Sequence, residues 1–162
     1  RRTMILRTAT VLLDDLRDPR IAVFLEEHLR DMRAVSPPQS KHALDLDGLR
    51  RPEIRFWSAW QDDALIGCAA LKRLDAAHGE LKSMRVAPHA RRQGLARMLL
   101  LHVLQQARAV GLARVSLETG SMAFFAPARA LYAAHGFVPC APFGDYREDP
   151  NSVFMTLALA PT

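Results

Sequence analysis

One segment of the chain combines acidic, basic and small residues in an order that suits phosphate binding. It reads Glu80-Leu-Lys-Ser-Met-Arg-Val-Ala-Pro-His-Ala-Arg-Arg-Gln-Gly-Leu-Ala96 and joins a predicted strand to a long predicted helix. Arg91, Gly94 and Ala96 stand at the junction in the spacing Arg-x-x-Gly-x-Ala. The first turn of a helix presents unpaired amide N–H groups and the positive end of the helix dipole, and small residues let a phosphate approach them. The spacing therefore favours a pyrophosphate group at this junction.

The segment differs from two other phosphate-binding motifs. It lacks the Gly-Lys-Ser/Thr of a Walker A loop and the first glycine of a dinucleotide-binding fingerprint.

Seven basic residues and no acidic residue lie between Glu80 and Glu118, in a chain whose net charge is +5. This basic segment indicates either a specific anionic ligand or an arginine-rich, solvated helix face. Nucleic-acid binding is less favoured, because the segment contains no aromatic residue.

The periodicity of apolar residues predicts the elements that position this segment. Strands are predicted over Met4–Thr8, Ile54–Trp60, Ala64–Leu74, Glu80–Val86, Arg114–Glu118, Phe137–Cys140 and Ser152–Ala158. Helices are predicted over Pro19–Ala34, Gly94–Val110 and Pro127–His135, with one helical turn near Asp45–Leu49. The order β-α-βββ-α-β-α-ββ indicates a mixed α/β (α+β) fold. Its central sheet has about six to seven strands, is mostly antiparallel and is flanked by helices.

Size and composition restrict the class of protein. The chain of 162 residues is the size of one domain, which we predict to span residues 1–162. Cys68 and Cys140 have no metal-ligand spacing, so no metal site is expected. No apolar run reaches the roughly 18–20 residues of a membrane-spanning helix. The first residues lack the apolar core of a signal peptide, so we expect a cytoplasmic protein that does not bind membranes.

The junction closely resembles the acetyl-CoA motif of the GCN5-related N-acetyltransferases, the GNAT family, whose loop reads Arg/Gln-x-x-Gly-x-Gly/Ala. A second likeness lies at Leu131–Phe137, which reads Leu-Tyr-Ala-Ala-His-Gly-Phe and is similar to the family's Leu-Tyr-x-x-x-Gly-Phe signature. The predicted order of elements is also that of the family. The resemblance covers nearly the whole chain and implies a GNAT-like sheet, acetyl-CoA as co-substrate and no metal.

The resemblance also implies where acetyl-CoA binds. The implied contact residues are Met84, Arg85, Val86, Arg91, Arg92, Gln93, Gly94, Leu95 and Ala96. The backbone of Met84 and Val86 would hold the pantetheine arm like an added strand. One departure is Phe125, which stands where many relatives have an asparagine that contacts this arm.

Direct acetyl transfer, which the family uses, requires three chemical roles. Glu80 is the expected general base, because histone-acetyltransferase-like members keep a glutamate at the same offset from the loop; Glu118 is the rival carboxylate. The backbone N–H of Met84 is expected to polarise the thioester carbonyl. Tyr132 is the family-type general acid for the departing thiolate. His28 and His102 lie on apolar helix faces and are expected to be core residues.

Three functions remain open at this level. The first is an acetyl-CoA-dependent N-acetyltransferase that acts on a small amine, with peptide lysine as a variant acceptor. The second is a non-catalytic acyl-CoA-binding or regulatory module on the same fold. The third, nucleic-acid binding, is the least favoured. Relatives are often homodimers, so a homodimer is also open.

Overall fold

A single seven-stranded sheet forms the centre of the computed structural model, which describes residues 9–36 and 45–160. Its strands are β1 (Thr10–Leu13), β2 (Ile54–Gln61), β3 (Ala64–Arg73), β4 (His78–Val86), β5 (Arg114–Gly120), β6 (Val138–Pro139) and β7 (Ser152–Ala158). They lie in the order β1-β2-β3-β4-β5-β7-β6. Every neighbouring pair is antiparallel except β4 and β5, which run parallel.

Four α-helices pack around this sheet in the described residues. They are α1 (Pro19–Val35), α2 (Leu46–Leu49), α3 (Leu95–Ala109) and α4 (Ala126–Ala134). The carboxylate of Asp18 accepts a hydrogen bond from the amide of Arg20 and caps α1, with Pro19 in the first turn. Helix α3 crosses β3 so closely that a Cβ atom at Gly67 would lie 2.9 Å from Leu99. Glycine at position 67 therefore permits the contact that buries one face of the sheet.

The parallel strands β4 and β5 separate soon after they meet. Their register pairs His78–Glu80 with Arg114–Ser116 and ends there. The ladder between β3 and β4 shifts by one residue between Cys68 and Ala70, and Ser83 opposite this shift has a positive φ of 54°. A bulge of this kind bends the strand and increases its twist. The second half of β4 therefore diverges from β5 and leaves an opening between the strands.

The predicted fold class and order of elements are confirmed. The predicted strand Met4–Thr8 lies outside the described residues, and the first strand that the structure describes is β1. The predicted strand Phe137–Cys140 shortens to Val138–Pro139 at the edge of the sheet, because Pro139 has no amide proton to extend a ladder.

Candidate active site

A buried cluster of three polar side chains lies where β4 and β5 begin to separate. Glu80 and Lys82 are two residues apart on β4 and so share a face of the sheet. The Lys82 ammonium lies 3.0 Å from Glu80 Oε2, and the two side chains are only 9% and 4% exposed. The Tyr146 hydroxyl donates to the same oxygen at 2.5 Å and accepts from Lys82 at 2.9 Å. Each charge of this buried pair is thus compensated, which a charge in the interior requires.

Two cavities meet at this buried charge cluster (Glu80, Lys82 and Tyr146). The smaller, about 110 Å³, lies in the opening between β4 and β5. The larger, about 450 Å³, lies between the sheet and the loop that precedes β7. All three members of the cluster line both cavities. The cluster is therefore part of the lining of both cavities.

The smaller cavity brings together all four residues that the sequence suggested for catalysis. Glu80, Met84, Glu118 and Tyr132 line its wall. Glu118 accepts a hydrogen bond from the Ser152 hydroxyl at 2.7 Å. Tyr132 is buried and packs against Phe137, with ring centroids 5.7 Å apart. Burial raises the pKa of the Tyr132 hydroxyl, so this phenol stays protonated at neutral pH.

His28 was expected in the core, but it also lines the smaller cavity. Burial, and then the positive charge of Arg85, lowers the pKa of His28 to about 4, against a small opposing effect of Asp31. The imidazole that faces Glu80 and Tyr132 across this cavity is therefore neutral at pH 7. His102 is packed as expected, edge-on to Trp57 with ring centroids 5.5 Å apart.

The loop ahead of α3 is open and exposed. Arg91, Arg92, Gln93 and Gly94 are exposed, whereas Leu95 is buried beneath them. Gly94 is the N-cap of α3 with φ of 77°, and no side chain caps this helix end in the described part of the chain. A Cβ atom built at Gly94 would meet nothing within 4 Å. The amide groups of the first turn thus face open space beside two arginines, an arrangement that fits a pyrophosphate.

Arg85 has a different environment from the rest of the implied cofactor residues. Its guanidinium is buried and lies 3.3 Å from Asp31 and 3.6 Å from Glu27, both on α1. It also stacks on Phe24, 4.8 Å from the ring centroid. The side chain of Arg85 therefore links β4 to α1 and is not available to a ligand in the opening between β4 and β5. Val86 and Ala96 are half-buried on either side of the loop.

Sequence reasoning missed Lys82 and Tyr146 as partners of Glu80. The two-residue spacing of Glu80 and Lys82 was a usable signal, because alternate residues of a strand share a face. No local signal connects Tyr146 to Glu80, since 66 positions separate them. An aromatic group of Phe143, Tyr146 and Phe154 anchors this part of the chain on the sheet.

None of the helices that the structure describes is both long and apolar enough to cross a membrane.

Residues 21–137 match the model of the acetyltransferase (GNAT) family. The chain is 54% identical to the uncharacterized N-acetyltransferase YsnE of Bacillus subtilis, over 92% of this chain and 99% of YsnE. It is 49% identical to the uncharacterized N-acetyltransferase YedL of Escherichia coli, over 93% of this chain and 94% of YedL.

The fold is also that of solved acetyltransferases. A GNAT family acetyltransferase from Elizabethkingia anophelis with acetyl-CoA bound superposes with a TM-score of 0.65. The match covers 93% of this chain and 98% of the other at 18% sequence identity.

Proposed function

The chain belongs to the acetyltransferase (GNAT) family, and from this premise we propose that it transfers acetyl from acetyl-CoA directly to the amine of a small molecule. The observation that carries the proposal is the separation of β4 from β5 after Glu80, beside the uncapped N-terminus of α3. One end of this opening suits a pyrophosphate, and the other holds two carboxylates and a protonated phenol.

The proposed cofactor contacts follow the path from the loop to the opening. The exposed backbone around Gly94, with Arg91 and Arg92, would hold the pyrophosphate. The backbone of Met84 and Val86, beyond the end of the β4–β5 pairing, would hold the pantetheine arm. The acetyl group would then reach the smaller cavity between Glu80 and Tyr132, where Met84 lines the wall.

The side chains of the cavity supply the proton transfers that the reaction needs. Lys82 and Tyr146 both bind Oε2 of Glu80, which leaves Oε1 to accept a proton from the acceptor ammonium. The Met84 N–H would donate to the thioester carbonyl as charge develops on its oxygen. Tyr132 would protonate the sulfur as the C–S bond breaks and the C–N bond forms, and the second proton of the acceptor nitrogen would return to Tyr132 through water. Glu118 is the second carboxylate, and water could link it to the same path.

Two measurements on the purified protein test this proposal. Calorimetry with acetyl-CoA, CoA and 3′-dephospho-CoA is expected to show micromolar binding of acetyl-CoA. With a panel of small amines, release of the CoA thiol is expected to show turnover. Mass spectrometry of the products is expected to show N-acetylation. Binding without turnover of any amine would favour the non-catalytic acyl-CoA-binding module. Absence of binding to all three compounds would exclude both functions.

A further inference from the structure

The larger cavity is lined by a second lysine, which lies opposite Glu80 on the neighbouring strand. Lys72 on β3 is the register partner of Glu80 on β4, and both side chains line this cavity. Residues directly opposite each other in an antiparallel pair point to the same face, with Cβ atoms about 4.5–5.5 Å apart. Glu80 therefore lies between two lysines, Lys82 along its own strand and Lys72 across the ladder.

The two lysines differ in what holds them. Lys82 is nearly buried, and both Glu80 and Tyr146 bind its ammonium. Lys72 is half-exposed, and among residues 9–36 and 45–160 no hydrogen bond or ion pair engages its ammonium. Lys82 is thus part of the structure of the site, whereas the ammonium of Lys72 lines the cavity and is available to a ligand. A ligand anion is a suitable partner for such a charge.

A simple cationic amine fits this wall of the cavity poorly. To deliver its proton to Glu80, the amine must approach a carboxylate that has an ammonium group on either side. Repulsion by these two ammonium groups opposes the approach at this wall, whereas the carboxylates of Asp145, Glu148 and Asp149 line the opposite, loop side of the cavity. An acceptor that carries a carboxylate next to its ammonium would remove the conflict, because its negative group could pair with Lys72.

The volume of the cavity also suits such an acceptor. Its 450 Å³ falls within the range of about 300–1,000 Å³ that is usual for small-molecule sites. Leu74 and the Tyr146 ring supply apolar surface, and Arg147 and three carboxylates, those of Asp145, Glu148 and Asp149, line the loop side. Both polar and apolar side chains of an acceptor can therefore be accommodated beyond the sheet wall.

We infer that the acceptor is a small zwitterion of the α-amino acid type, whose ammonium faces Glu80 and whose carboxylate pairs with Lys72. This inference rests on the proposed acetyltransferase activity and names the class of its acceptor. The α-ammonium group loses one proton to Glu80, and its nitrogen then forms the C–N bond as the C–S bond of acetyl-CoA breaks. Tyr132 protonates the departing sulfur, the second proton of the nitrogen returns to Tyr132 through water, and the carboxylate takes no part in bond making. Lys72 is thus a specificity-determining residue.

The test compares free amino acids with the amines that remain when the carboxylate is removed. Suitable pairs are leucine with isopentylamine and phenylalanine with 2-phenylethylamine, which keep the side chain and the basic amine. The measured quantity is the ratio of kcat/KM for the amino acid to kcat/KM for its amine. One charge-assisted contact predicts a ratio on the order of 10 for the natural protein.

Three variants identify the source of this preference. Lys72→Met is expected to bring the ratio close to 1, and Lys72→Arg to retain most of it. Arg55→Met is the matched control: Arg55 is an exposed cation of the neighbouring strand β2 that lines neither cavity. This control is expected to leave the ratio unchanged, which separates the effect of Lys72 from a general change in charge.

The outcomes separate the inference from the activity on which it rests. Equal turnover of amino acids and amines by the natural protein, or a preference that survives Lys72→Met, would overturn the inference and leave the acetyltransferase intact. Acetylation of peptide amines in preference to free amino acids would overturn it as well. If no acceptor releases CoA although acetyl-CoA binds, the proposed activity itself fails.

Discussion

Two regions of the candidate site are built in opposite ways. The α3 loop, residues 91–94, is exposed, local in sequence and depends on backbone amides and the open space around Gly94. The buried charge cluster is assembled from β4 and a residue 66 positions away, and its groups are satisfied by each other. A substitution in the loop should therefore change binding with little effect on folding. A substitution in the cluster should change chemistry and stability together.

The largest effect is expected in the cluster. Glu80→Gln removes the proposed base and should lower kcat by roughly 100- to 10,000-fold with little change in acetyl-CoA affinity. It also removes the carboxylate charge that lies 3.0 Å from the buried Lys82 ammonium, so the melting temperature should fall. Rate measurements and thermal unfolding test both expectations.

Two further variants control this result. The double variant Glu80→Gln/Lys82→Met should recover much of the stability but not the rate, because it removes the buried ammonium as well and does not restore the base. Glu118→Gln should have the smaller effect on kcat. If Glu118→Gln proves the more damaging change, the roles of the two carboxylates are reversed.

A smaller loss is expected in the loop. Gly94→Glu places a carboxylate where the pyrophosphate is proposed to bind and should weaken acetyl-CoA binding by about 100-fold, the effect of one or two lost charge-assisted hydrogen bonds. Calorimetry measures the affinity, and thermal unfolding measures the stability.

Gly111→Glu provides a matched control at the other end of α3. Gly111 has φ of 84°, and a Cβ atom there also meets nothing within 4 Å. Both variants carry the same backbone cost of about 1–2 kcal/mol for a left-handed side-chain residue. Equal loss of affinity in both variants would mean that strain, and not the phosphate site, explains the change at Gly94.

A still smaller effect on the rate is expected for Tyr132, which lies between the two regions. Tyr132→Phe keeps the ring that packs on Phe137 and removes only the proton donor. We expect kcat to fall by about 10-fold, with acetyl-CoA affinity and melting temperature nearly unchanged. This is less than the roughly 100- to 10,000-fold that is usual for a proton-transfer group, because a thiolate, whose conjugate acid has a pKa of about 8.5, leaves readily. An unchanged kcat would show that the thiolate leaves without help from this phenol.

The smallest effect is expected on the free energy of unfolding in acid, through His28 at the wall of the smaller cavity. The folded-state pKa of His28 is about 4, below its unfolded value near 6.5, so the unfolded chain binds the proton first. The free energy of unfolding should therefore fall by about 1 kcal/mol through His28 between pH 7 and pH 5.5. In His28→Gln this part of the acid dependence should disappear.

His89→Gln is the control, because His89 is exposed. Urea unfolding at the two pH values measures the difference. The same acid dependence in His28→Gln and in the natural protein would contradict the burial of a neutral imidazole beside the cavity.

The sequence was most informative where the structure is local. The cap at Asp18, the helix that follows Gly94 and the order of elements from Pro19 to Ala158 all depend on neighbouring residues. The resemblance also selected four residues that the structure gathers around one cavity, Glu80, Met84, Glu118 and Tyr132. Their catalytic roles remain predictions.

The sequence was less informative where distant segments meet. The bulge at Ser83 has a positive φ at a residue that is not glycine, so no turn signal predicts it. The basic segment between Glu80 and Glu118 suggested an anionic ligand or a solvated helix face, but Lys82 and Arg85 are buried in separate ion pairs. A position in a charge-rich segment does not decide which face a side chain takes.

By itself, the sequence determined the elements, their order and the open helix end at Gly94, because apolar periodicity, capping residues and small side chains act within a few positions. Only the tertiary structure decided that Tyr146 and Lys82 both bind Glu80, that Arg85 faces α1 and that Lys72 lies across from Glu80. These contacts depend on strand register and on the bulge at Ser83. Register is fixed by the packing of the whole sheet, and a shift of one residue would move each of these side chains to the other face.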